Sequence, residues 1–163
     1  MTPFQESRRA DAEKSRQLRQ ALEAQLDLPS GERQLALAWE HLGNPDPWIS
    51  LAARNLLERQ PISEWARRAF ETQDSRCFSQ AMLALARAGQ AEWYPSIVRH
   101  LNERLSDLRD RDDRTAAFYT YQLCLRDQNW VDEHLRRLTG SILDQVFPSR
   151  SANVSNQRLS GQR

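Results

Sequence analysis

The sequence predicts an all-α fold: a short right-handed α-solenoid of antiparallel helix pairs, about three hairpins plus one terminal helix. Three observations carry that expectation. Large apolar residues recur at spacings of three and four along most of the chain, the period of a helix with one buried face. Pro, Gly and Asp interrupt this pattern at short intervals, as turns between paired helices require. No run of useful length alternates with the period of two that a strand needs.

The elements follow in order. Residues 1–16 are charge-dense with only Phe4 as a large apolar side chain, and read as a flexible charged lead; the helical repeat domain is expected over 17–147, with a flexible tail over 148–163. Leu18, Leu22 and Leu26 form one stripe on a helix ending before Pro29. Ser30 is expected to open the next, with Leu35, Ala38, Trp39 and Leu42 inward and Gly43 as its stop. In Asn44-Pro45-Asp46-Pro47, Asp46 can cap a helix that has Pro47 at its first position and Ile49, Ala52, Ala53, Leu56 and Leu57 on its inner side. That helix ends at Gln60-Pro61, and Ser63 is expected to cap a short one holding Trp65, Ala66, Ala69 and Phe70. Asp74 begins another, with Phe78, Ala81, Met82, Leu85 and Ala86 inward and Gly89 at its end. A long helix from about residue 91 to 109 takes in Trp93, Tyr94, Ile97, Val98, Leu101, Leu105 and Leu108. The run Arg109 to Arg114 reads as a solvated turn because its signs cancel. Ala117, Phe118, Tyr121, Cys124 and Leu125 form the next apolar face, and Trp130, Val131, Leu135, Leu138, Ile142, Leu143 and Val146 the last.

Composition fits thin layers of amphipathic helix. With 163 residues the chain suits one domain, able to bury roughly 70% of its unfolded surface. Hydrophobic residues make up 39% and charged residues 28%, which is too apolar for disorder yet leaves each helix a wet face. The formal charge is +1, from 23 basic and 22 acidic residues that alternate along the chain, so nucleic acid is not an expected partner. Lys14 is the only lysine; the positive charge is nearly all guanidinium, which suits forked pairing with carboxylates, although coding bias yields the same skew. No stretch approaches the roughly 18 apolar residues of a membrane span, and the first twenty residues are too charged for a secretory signal, so the chain by itself reads as cytoplasmic.

Two turns repeat. Asp46, Ala53 and Leu57 align with Asp74, Ala81 and Leu85, the aspartate capping and the alanine allowing two helices to approach closely. That is the logic of a HEAT repeat, although the period is shorter than the usual ~40 to 47 residues and Ser50 and Phe78 stand where an arginine is common. The stretch from Ala38 to Ile49, continuing through Ala52-Ala53-Arg54, Glu58-Arg59-Gln60-Pro61 and Trp65, resembles the HEAT-like region of large bacterial membrane-bound dehydrogenase-like proteins. Tyr121-Gln122-Leu123, Phe147-Pro148-Ser149-Arg150-Ser151 and Asn156 resemble the same region further on. The resemblance implies a helical connector between a sorbosone-dehydrogenase-like propeller and a c-type cytochrome in an exported, periplasmic protein. Neither neighbour is in this sequence, which has no CxxCH, so no catalytic or cofactor residue is carried over.

Candidate sites are few. His41, His100 and His134 fall on three separate helices without a ligand set, and read as surface histidines. Cys77 and Cys124 follow no metal spacing and read as small buried apolar residues. Trp48, Trp65, Trp93 and Trp130 each lie near a helix start, where a wide ring can wedge between units. Arg54, Arg67, Arg68, Arg87, Arg136 and Arg137 could line a concave surface for an acidic partner, with Glu58, Glu64 and Glu133 near enough to neutralise several of them. No nucleophile elbow and no phosphate-cradling glycine loop is present, so no cofactor is expected and the predicted role is non-enzymatic: a scaffold for a protein partner, or alternatively the detached helical portion of a membrane-bound dehydrogenase and cytochrome c complex, with a dehydrogenase or cytochrome subunit as its partner. Since the last helix lacks a mate, its face of Val131, Leu135, Leu138, Ile142 and Val146 is the expected docking edge.

Overall fold

The computed structural model describes residues 3–126 and Gly140, with Pro3 and Phe4 described as backbone only. Seven α-helices run in order among them: α1 Pro3–Ala24, α2 Glu32–Leu42, α3 Pro47–Glu58, α4 Ile62–Glu71, α5 Ser75–Arg87, α6 Tyr94–Arg104 and α7 Arg111–Arg126. No strand occurs among the described residues. The expected terminal helix near 130–146 and the tail at 148–163 lie outside the described residues.

Apolar spacing places the inner faces well. Ala38, Trp39 and Leu42 of α2, Ile49, Ala52, Ala53, Leu56 and Leu57 of α3, and Trp65, Ala66 and Ala69 of α4 are all buried. In α5 burial is continuous from Ala81 to Ala86. Each large side chain so removed from water contributes about 1.5–3 kcal/mol, against about 0–1 kcal/mol for an exposed ion pair, so these faces and not the surface charges hold the helices together. Consecutive helices pack as α2 on α3, α4 on α5 and α6 on α7; alternate helices also touch in series, α1 on α3, α3 on α5 and α5 on α7.

The aspartate cap of the two turns occurs a third time, at unequal spacing along the chain. Asp46 accepts from the Trp48 N–H at 2.9 Å and Asp74 from the Cys77 N–H at 2.7 Å, as expected. Asp110 does the same for α7, accepting the Asp112 N–H at 2.9 Å while its carbonyl accepts from the Arg114 N–H at 3.1 Å. Ala117 and Tyr121, both buried, then stand where Ala53 and Leu57, and Ala81 and Leu85, stand after their own aspartates. Arg114 occupies the place of Ser50 and Phe78, and its Nε donates to the Leu108 carbonyl at 2.8 Å.

Buried polar side chains fasten the turns. Gln60, 4% exposed, accepts from the Gly31 N–H at 3.0 Å and donates to the Leu56 carbonyl, and its own carbonyl accepts from Trp65 Nε1. Arg104 donates to the carbonyls of Thr72 and Gln73 and lies 4.0 Å from the centre of the Phe78 ring, which locks the end of α6 onto the turn before α5. Gly43 sits where space is tight: a Cβ there would stand 3.0 Å from Asp74 Oδ1 and 3.3 Å from the Cys77 N, so its neighbours would have to shift by a few tenths of an ångström. Gly89, at φ +77°, supplies the left-handed residue after α5.

Several expectations change. Helix α1 begins at Pro3, well before the Leu18 start that apolar spacing suggests, although residues 5–14 are exposed and Leu22 carries its burial. Ser63 lies inside α4, which starts without a side-chain cap after Pro61; Ser30 donates instead to the Arg59 carbonyl, and α2 starts after Gly31. The long helix at 91–109 is shorter, with α6 flanked by 3₁₀ turns at Ala91–Trp93 and Leu105–Asp107 that redirect the chain at each end. Leu35 is half-buried while Gln34 is buried, and Phe118 is 38% exposed because α7 turns Ala116, Thr120 and Cys124 inward. Cys77 is half-buried and Cys124 buried, and neither forms a disulfide among the described residues.

Ala53 and Ala81 have no exposed surface and sit on the contacting helices α3 and α5. Ala53→Leu or Ala81→Leu is expected to cost about 1–3 kcal/mol in urea unfolding through overpacking, whereas Ala36→Leu, at an exposed position of α2, leaves the midpoint unchanged.

Candidate functional site

Two adjoining hollows lie over α3, α5 and α7 and share Arg54. The first, about 330 Å³, is lined by the early parts of the three helices, including Trp48, Leu51, Arg76, Gln80, Asp112 and Asp113. The second, about 420 Å³, is lined further along them by Leu83, Arg87, Tyr119, Gln122, Leu123 and Arg126. Trp48, Arg76 and Asp112 each stand two residues after a capping aspartate, so equivalent positions of three helices face one hollow.

Trp48 is 62% exposed and Tyr119 54% exposed, which makes them the most exposed large hydrophobic side chains among the described residues. Trp48 therefore departs from the packing role expected for it. Trp65 is fully buried as expected, and Trp93 is half-buried against Phe70, with ring centres 6.1 Å apart. Trp130 lies outside the described residues.

The hollows differ in charge. At the far end, Glu58 Oε1 accepts from Arg87 Nε at 2.8 Å and lies 3.4 Å from Arg54 Nε, while Arg54 Nη1 donates to Gln80 at 2.8 Å. Burial lowers the Arg54 pKa from its ordinary value against the opposing pull of Glu58, and Arg87 adds to the lowering. Arg126 is exposed and has no ion-pair partner among the described residues. At the near end Arg76 lies 3.3 Å from Asp110 and 4.0 Å from Asp113.

Asp113 overturns the reading of the 109–114 run as a wholly solvated turn: it is 4% exposed, with Oδ1 3.1 Å from Ser79 Oγ. That hydroxyl also reaches the Arg76 carbonyl at 2.9 Å, and its single proton is divided between two acceptors. Burial accordingly raises the Asp113 pKa, while Ser79 and Arg76 only partly oppose the rise.

The six arginines named from the sequence divide. Arg54 and Arg87 line the hollows; Arg67 pairs with Glu71 at 2.7 Å, not with Glu64, and Arg68 lies 4.6 Å from the centre of the Trp39 ring. Arg136 and Arg137 lie outside the described residues, as do Glu133, His134 and the expected docking edge of Val131, Leu135, Leu138, Ile142 and Val146. His41 and His100 stand on different helices, and His100 Nδ1 is 2.8 Å from the Ser96 carbonyl. Among the described residues no three His, Cys, Asp or Glu side chains gather as a metal site, and no helix is long and apolar enough to cross a membrane. Sequence reasoning missed Arg126, Tyr119 and Asp112; the place of Asp112 two residues after Asp110, matched to Trp48 after Asp46 and Arg76 after Asp74, is the signal that could have found it, and no such match marks Arg126 or Tyr119.

The chain matches no known protein family, no curated protein and no solved structure.

Asp113 generates a pH dependence opposite in sign to that of an ion-paired carboxylate. The folded chain holds this proton more tightly than the unfolded chain, so its contribution to stability falls as pH rises from about 4 through the raised folded value. Asp113→Asn is expected to remove that loss, so that the variant gains on the parent between pH 4 and 7 in paired urea-unfolding curves.

Proposed function

We propose that the chain is a non-enzymatic protein–protein interaction module, a short right-handed HEAT-like α-solenoid of antiparallel pairs that docks its partner on the face of α3, α5 and α7. The observation carrying this reading is the lining of the first hollow by Trp48, Arg76 and Asp112, residues at equivalent places in three helices. Such a lining follows when α3, α5 and α7 run in the same direction, side by side, with α2, α4 and α6 returning behind them. The serial contacts α3 to α5 to α7, the three aspartate caps and the buried Ala53, Ala81 and Ala117 support the same reading. Arg114 supplies, in the third unit, the arginine that Ser50 and Phe78 replace in the first two.

A docking role follows from what the face exposes. Trp48 and Tyr119 are large rings held on helices beside arginines, a combination enriched where binding energy concentrates in protein interfaces. A second reading, a helical portion detached from a membrane-bound dehydrogenase and cytochrome c assembly, is favoured by one feature. Pro45, Pro47 and Trp48, at the centre of the stretch that carries the resemblance, are exposed and line the first hollow, a place that core packing does not demand. In that case the partner is a dehydrogenase or cytochrome subunit.

Benzoylphenylalanine placed at position 48 or 119 of the full chain, and irradiated in its native host, is expected to give a discrete protein adduct; placed at the exposed Glu64 of α4 it is expected to give none. Adducts of equal yield from all three positions, or none from 48 and 119, would contradict the assignment of the face.

A further inference from the structure

Building on the reading of this face as a docking surface, we infer that its occupant is a short acidic peptide segment of a protein partner, with carboxylates held by Arg54, Arg87 and Arg126 and an apolar side chain lying toward Trp48. The argument starts from charge. Three guanidinium groups line the second hollow, and the one carboxylate paired with them among the described residues, Glu58, is already shared between Arg54 and Arg87. The C-terminal dipole end of α5 offsets part of the surplus, but it amounts to roughly half a charge and fades within a turn, which leaves the hollow basic.

Guanidinium forks match carboxylates in a bidentate way, and Arg126 is exposed with no ion pair among the described residues to give up. Leu83, Leu123 and Tyr119 lie among these arginines, so a ligand there meets apolar surface as well as charge. Trp48 and Leu51 continue that apolar surface into the first hollow.

The other end of the groove decides between a peptide and a polyanion. Asp112 and Asp113 line the first hollow, with Asp110 beside Arg76 at its rim. From Trp48 to Glu58 a helix rises by about 15 Å, the span of roughly four or five extended residues. A nucleic acid strand carries a charge about every 3.4 Å, so one lying along the groove would bring phosphates against these aspartates. A peptide can place its carboxylates at one end only.

Selection of a random dodecapeptide display library on the immobilised full chain tests this inference. Enriched peptides should contain clustered Asp or Glu, and Arg126→Glu should weaken their binding by at least about tenfold, while Arg99→Glu on α6 has little effect. Arg126 is exposed, so charge reversal there leaves the fold intact, which circular dichroism confirms; Arg87→Glu provides a second, independent reversal. Neutral or basic enriched peptides that still depend on Trp48 would overturn the acidic assignment while sparing the docking face. Failure to enrich any peptide sensitive to Arg126 or Arg87 would overturn it as well, as would an oligonucleotide of about 20 residues that displaces the selected peptides at about 50 mM NaCl.

Discussion

Helix α5 has no wet face along its middle: Ala81, Met82, Leu83, Ala84, Leu85 and Ala86 are consecutive and all buried. An amphipathic surface helix buries one stripe, so six successive buried residues demand close neighbours around most of the helix. The fold supplies them, with α3 and α7 flanking α5 and α2, α4 and α6 also touching it. Alanine at three of the six positions lets these neighbours come close, and Met82 and Leu85 fill what remains. Much of the rest follows from this constraint, including the closeness of Gly43 to the start of α5 and the grip of Arg104 on the turn that leads into it.

Polar groups of α5 are displaced to its two ends, and there the surface acquires its character. Ser79 and Arg76 meet Asp113 at one end; Arg87 meets Glu58 at the other. The face above α5 is therefore flanked by opposite charges, acidic near the starts of the helices and basic near their ends. Its rings, Trp48 and Tyr119, belong to the helices on either side. Packing the core and building the groove are in this sense one arrangement seen from two sides.

Apolar periodicity made most of the helical faces legible, from Leu42 and Ile49 through Leu101 and Tyr121, because burial of such residues needs only one neighbour on the correct side. Periodicity could not say that Trp48 or Phe118 would stay exposed, since each sits at the margin of its stripe and its fate depends on a third helix. The third aspartate cap was hidden in a run holding Asp107, Asp110, Asp112 and Asp113, any of which could have begun α7. Local charge balance could not reveal the burial of Asp113, because it says nothing about Ser79, 34 residues earlier in the chain. The candidate site was half legible: Arg54 and Arg87 were singled out, but joined with Arg67 and Arg68, which stand elsewhere because α4 presents them to Glu71 and Trp39.

The relative direction of α3, α5 and α7 underlies both the fold reading and the groove, and paired-cysteine bridging measures it. In a chain carrying Cys77→Ser and Cys124→Ala, cysteines introduced at Trp48 and Asp112 line the same hollow and should be joined rapidly by a short bismaleimide. Cysteines at Trp48 and Arg126 should not be, because α7 rises by roughly 20 Å between Asp112 and Arg126. Efficient bridging of the second pair with none of the first would mean that α7 runs opposite to α3, and would contradict the co-directional stack on which the proposed docking face depends.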